Sequence, residues 1–135
     1  MPATTASTRV RTWLHARCKT VGPTVFPDAV RAGHTARAIV YRPVSNVDLV
    51  RVSQSTLMVR SLFDVFVSDK MLYAGDLQTD ADSLDAAILT GAMVVVSGRR
   101  IEAVRRVAEI DDSVEEEEVW WRRLGGTYQI LSTLA

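Results

Sequence analysis

Between Leu57 and Leu89 the hydrophobic pattern changes period once, and that change constrains the fold more than any other feature of the chain. From Leu57 to Val67 the residues Leu57, Val59, Phe63, Val65 and Val67 share one face, interrupted only by Ser61, while Arg60, Asp64 and Ser68 share the other. Period two is the signature of a strand with one buried face. From Asp76 onward Leu77, Ala81, Leu84 and Ile88 recur at steps of four, three and four, so they form one stripe of a helix. Asp80, Asp82 and Asp85 occupy its other side, with the early acids where the partial positive charge of a helix N-terminus favours them. An apolar stripe and an apolar strand face satisfy each other when the helix lies across a sheet.

The flanking sequence extends this unit. Val10, Trp13, Leu14 and Cys18 form the stripe of an N-terminal helix, with Ser7 or Thr8 as its N-cap and Gly22-Pro23 as its stop. The segment from Val21 to Gly33 holds Pro23 and Pro27 around Thr24-Val25-Phe26, and reads as a brief strand or an extended loop. Ala36 to Arg42 reads as a strand ending at Pro43. Ser45-Asn46 supplies a turn, and Asp48 to Ser55 is a polar connector. Gly91 is placed to end the central helix as a left-handed cap. Met93 to Val96 is apolar, Gly98-Arg99-Arg100 looks like a turn, and Ile101 to Val107 reads as a strand. Asp111 to Glu118 is then an acidic loop, and Val119 to Ser132 a closing strand bent at Gly125-Gly126 by a bulge or a close backbone approach. The expectation is one domain over residues 1–135, of α+β class: an antiparallel β-sheet sandwich with an N-terminal and a central helix packed on the sheet.

Composition narrows the function classes. The chain has 135 residues, enough for a core that needs no disulfides or metals. Its 16 basic and 16 acidic residues cancel, which argues against an autonomous binder of nucleic acid or anionic membrane. One cysteine excludes a disulfide framework. The N-terminus shows no apolar run of signal-peptide type, and Ala92 to Val96 is too short to span a bilayer, so a soluble protein made in the cytoplasm is expected.

No catalytic, metal or cofactor site is expected. His15 and His34 have no carboxylate at a motif-like spacing and read as surface or packing residues. Cys18 lies on an apolar stripe and reads as a small core residue. Asp80 to Asp85 fails as a calcium loop, because Leu84 occupies a ligand position and Asp85 replaces the turn glycine. Gly125-Gly126 lacks the glycine spacing and following helix of a phosphate loop. What remains is interface chemistry. Three basic pairs (Arg99-Arg100, Arg105-Arg106, Arg122-Arg123), the acidic run Glu115, Glu116, Glu117 and Glu118, and Trp120-Trp121 are the candidates. If the tryptophans lie in a strand, one indole is buried and the other is free to anchor a partner. Basic pairs and an acidic run summing to zero suit pairing between subunits.

The closing stretch Trp121-Arg122-Arg123-Leu124-Gly125-Gly126-Thr127-Tyr128-Gln129-Ile130 resembles the last strand of small tail proteins from long, non-contractile-tailed bacteriophages of actinobacteria. Two further pieces agree in order: Val25-Phe26-Pro27 before Ala38-Ile39-Val40-Tyr41, and Phe63-Asp64-Val65-Phe66-Val67 before Leu84-Asp85-Ala86-Ala87-Ile88-Leu89. Over roughly Trp13 to Leu131 the chain is thus similar to the phage tail terminator, or tail completion, family. The resemblance implies a structural, non-enzymatic virion protein of α+β fold, without cofactors. It implies a hexameric ring that caps the tail tube protein and joins it to a head-closure or connector protein. DNA passes through the lumen without specific binding. The acidic run Glu115 to Glu118 and the connector Asp48 to Ser55 have no counterpart in that pattern.

Overall fold

The computed structural model describes residues 6–22, 24–28, 36–52, 55–71, 75–96, 98–116 and 118–134. Two helices, α1 (Ala6–Lys19) and α2 (Leu77–Leu89), and six strands, β1 (Val25–Pro27), β2 (Ala38–Val52), β3 (Ser55–Lys70), β4 (Val94–Val96), β5 (Arg99–Glu116) and β6 (Val119–Leu134), make an α+β fold. The strands form one sheet in the order β1-β2-β3-β6-β5-β4, antiparallel except for the parallel β1/β2 pair. Two long hairpins, β2–β3 and β5–β6, join side by side along β3 and β6. Among the described residues no second sheet is present, so the layer facing this one is helical.

Both helices lie on the same sheet face. Val10, Trp13, Leu14 and Cys18 of α1 and Leu77, Ala81, Leu84 and Ile88 of α2 pack with Phe63, Val65 and Val67 of β3, Tyr128 and Ile130 of β6, and Ile39, Tyr41 and Ile101. Both apolar stripes and the central alternating strand therefore meet as their periods require. Each fully buried large side chain contributes roughly 1.5–3 kcal/mol. Ser61, which interrupts the strand pattern, is buried and donates a hydrogen bond to Asn46 Oδ1 at 2.5 Å, so its hydroxyl is satisfied.

The helix ends depart from expectation. Ser7 and Thr8 lie inside α1 and not at its N-cap. Gly91 is not left-handed: α2 ends at Thr90 in right-handed geometry, and positive φ among glycines occurs at Gly98. Gly91 is needed for a different reason. A Cβ there would stand 2.8 Å from Arg17 Nε and 2.9 Å from Trp13 Cζ2. Trp13 Nε1 donates to the Gly91 carbonyl at 2.9 Å and Arg17 Nε to that of Ala87 at 2.7 Å. These side chains of α1 occupy the otherwise orphaned carbonyls at the C-terminus of α2, where a cation is also favoured.

The strands are longer than the sequence pattern suggests. β2 continues through Pro43 to Val52, with a register shift between Pro43 and Ser45 that interrupts the ladder beside the proline. The connector Asp48 to Ser55 is thus mostly strand; Ser53 and Gln54 lie outside the described residues. Arg99 and Arg100 start β5 and are not a turn, and Asp111 to Glu116 is strand and not loop. The register from β3 to β6 is continuous across Gly125-Gly126, so the closing strand carries no bulge there; the nearby irregularity lies on β5 at Val107, opposite Thr127 and Tyr128. A Cβ at Gly125 would stand 2.1 Å from the Val65 carbonyl oxygen, so close backbone approach is the reason for that glycine.

Candidate interaction surfaces

The residues singled out by sequence fall at two ends of one hairpin. At the first end, β5 and β6 pair through Val114↔Trp121, Glu115↔Trp120 and Glu116↔Val119, with Glu118 in the left-handed region (φ 65°). A two-residue connection of this kind requires positive φ and matches the twist of its strands. The last β3 partner along β6 is Lys70, opposite Trp121, so the hairpin tip projects beyond the rest of the sheet. Just behind the tip, Arg123 grips Asp112 through two hydrogen bonds of 2.6 Å, and Arg122 lies 3.5 Å from Asp111. The Arg123 hydrogen bonds hold the Asp112 carboxyl below its ordinary range. These arginines therefore serve acids of their own chain.

The tip itself is different. Glu115, Glu116 and Glu118 are exposed, and among the described residues no cation stands within ion-pair distance of them; Glu117 lies outside the described residues. Trp120 is 53% exposed while Trp121 is buried at 9%, and Val119 is exposed beside Trp120. Alternation along β6 separates the two indoles, as a strand dictates.

The second end is the start of β5. Arg99 is 3% exposed, and its Nε and Nη2 donate to the hydroxyl (3.2 Å) and carbonyl (2.9 Å) of Ser132. Burial, and then the neighbouring charge of Arg9, hold its pKa below the ordinary guanidinium value. Arg9 reaches over from α1, with Nη1 3.9 Å from the place a Cβ would take at Gly98. Its Nε is sealed from solvent without a hydrogen-bond partner. Arg100, on the opposite sheet face, lies 3.5 Å from Glu102. Alongside, Met93 has φ 65°, and Met93, Val94 and Val95 are exposed on the short edge strand β4. Sequence reasoning missed Arg9 as a partner of Arg99; the Gly98 turn that brings them together was its only visible signal.

The remaining candidates lie elsewhere in the fold. Arg105 and Arg106 point to opposite faces, Arg106 lying 3.7 Å from Asp85, which also accepts the Tyr128 hydroxyl at 2.6 Å. Arg37 contacts Asp69 (2.9 Å), Asp80 (2.7 Å) and Asp76 (2.5 Å), tying the start of β2 to the β3–α2 connection. Those contacts employ Asp76 and Asp80 as structural anions. Burial pushes the Cys18 thiol up to about 12, so it is inert. His15 Nδ1 lies 2.9 Å from the Tyr41 hydroxyl, a packing role; His34 lies outside the described residues. A cavity of about 240 Å³ is lined by Val21, Thr24, Arg37, Ile39, Val67 and Asp80. Among the described residues no helix is long and apolar enough to cross a membrane.

No family model and no curated protein matches the chain. A solved structure that carries no functional name is similar, at 14% identity and a TM-score of 0.54, over 94% of this chain and 96% of the other. At that identity the likeness concerns the fold alone.

Proposed function

We propose that this chain is a structural subunit of a ring that caps a phage tail tube, ends its polymerisation, joins it to the head-side connector and lets DNA through its lumen. The reading starts from the resemblance in the ordered segments around Val25, Phe63 and Trp121. One observation carries it further: the molecule has two unlike adhesive ends, an acidic tip with exposed Trp120 and a cationic corner beside exposed Met93 and Val95. A closed ring of identical subunits joined head to tail needs two different, complementary patches of this kind on each copy. Zero net charge also suits a conduit, since a lumen that bound phosphates tightly would hold the genome back.

The cavity lined by Val21, Thr24, Ile39 and Val67 gives little support to a free-standing ligand-binding domain, because Arg37 and Asp80 in its wall are already paired with each other. The test is native mass by light scattering with negative-stain images, repeated after adding tail tubes. Rings, free or seated on tube ends, are the expected result. Self-polymerisation into long tubes would point instead to a tube protein of the same kind of phage, and a monomer that ignores tubes would overturn the reading.

A further inference from the structure

We propose that the β5–β6 tip of one copy seats in the cationic corner of a second copy, with Glu115, Glu116 and Glu118 facing Arg9 and Trp120 covering Met93 and Val95. This rests on the ring reading and names the contact that closes the ring. The corner carries more positive than negative charge. Arg9 stands beside Arg99, Asp48 is a carboxylate whose charge also acts on Arg99, and Arg9 Nε is sealed off without an acceptor. Two guanidinium groups side by side repel each other, and an incoming carboxylate relieves that repulsion. α1 has no acid in its first turn, so the partial positive charge of its N-terminus is not offset by its own side chains.

The tip supplies negative charge to a corner with an excess of positive charge, and the apolar parts match as well. Each end sets exposed hydrophobic surface beside one sign of charge: Val119 and Trp120 with glutamates, Met93, Val94 and Val95 with arginines. Buried aromatic anchors ringed by charge are the usual core of a specific interface. Both ends belong to the same strand, β5, whose 18 residues span roughly 50–60 Å at the rise of a β-strand. One molecule therefore cannot satisfy itself, and the contact propagates from copy to copy until it closes.

The experiment uses two full-length variants, Arg9→Glu and the double variant Glu115→Lys/Glu116→Lys, each checked for a wild-type circular dichroism melt. Native mass is read at low salt for wild type, each variant, and their equal mixture. Each variant alone is expected to fall from rings to monomers, its dissociation constant raised about tenfold or more. The mixture is expected to reassemble into rings of alternating variants, because the intact tip of the arginine variant fits the intact corner of the glutamate variant and the two charge-reversed surfaces also oppose each other. Rings of wild-type size from either variant overturn this contact while leaving the ring reading standing. Loss of assembly in the Arg9 variant alone means that something other than the acidic tip fills the corner, and overturns it too. Wild type that never forms a ring, with or without tubes, removes the ring reading itself.

Discussion

Gly125 decides whether two central strands can pair. An alanine Cβ there meets the Val65 carbonyl oxygen at 2.1 Å and Phe66 Cα at 2.6 Å, both backbone atoms that move only if β3 and β6 separate. Overpacking of this kind costs about 1–3 kcal/mol, so Gly125→Ala is expected to lower the urea midpoint visibly; an unchanged midpoint would mean that the strands are not in this register. Leu84 tests the other layer. Its side chain is fully buried between α2 and the sheet, and Leu84→Asp is expected to cost several kcal/mol, on the order of the whole stability of a small domain. Glu115→Lys, at the exposed tip, is expected to leave the melt unchanged. A Leu84 variant melting like wild type would refute the helix register. Leu84 was legible because four buried positions repeat at helical spacing. The need for glycine at Gly91 was not, because the contact with Trp13 and Arg17 comes from a helix far away in sequence.

Among the elements, those the helices cover were readable and those they leave bare were not. Phe63, Val65 and Val67 alternate because one face is buried beneath α1 and α2. Asp111 to Glu116, and Asp48 and Leu49 of β2, have no buried side chain, so nothing there selects hydrophobic alternation, and strand looked like polar loop. The β5–β6 tip ends such a stretch, and its two tryptophans should behave differently. Trp121→Ala is expected to cost roughly 3 kcal/mol or more, and Trp120→Ala to stay within about 0.5 kcal/mol in a thermal melt of the monomer. Equal losses would contradict the assignment of faces. The Asp112–Arg123 pair behind the tip adds a pH dependence. Because Arg123 depresses the folded-state pKa of Asp112, the folded chain holds that proton less readily than the unfolded one. The stabilisation is full above the unfolded value of about 4 and fades as pH falls through the folded value. With Asp112 half exposed its size is at most about 1 kcal/mol. Asp112→Asn is expected to flatten the acid limb of the melting temperature against pH while leaving the neutral-to-alkaline slope alone.

For the molecule as a whole, net charge conceals the arrangement. Sixteen positive and sixteen negative residues suggest no field at all, yet Glu115, Glu116 and Glu118 stand at one end of β5 and Arg9 and Arg99 lie side by side at the other. Fold and assembly should therefore answer salt differently. The core is apolar, and its ion pairs, such as Arg37 with Asp69, Asp76 and Asp80, lie at short range, so the monomer melt should shift little with ionic strength. An interface steered by exposed Glu115, Glu116 and Glu118 toward half-buried Arg9 depends on attraction through solvent, which roughly 1 M salt screens to about 3 Å. Raising salt is thus expected to dissociate rings into folded monomers, seen as a drop in native mass with unchanged circular dichroism. If the rings instead survive high salt, apolar contact through Trp120, Met93 and Val95 holds them, and Trp120→Ala becomes the variant that must break them.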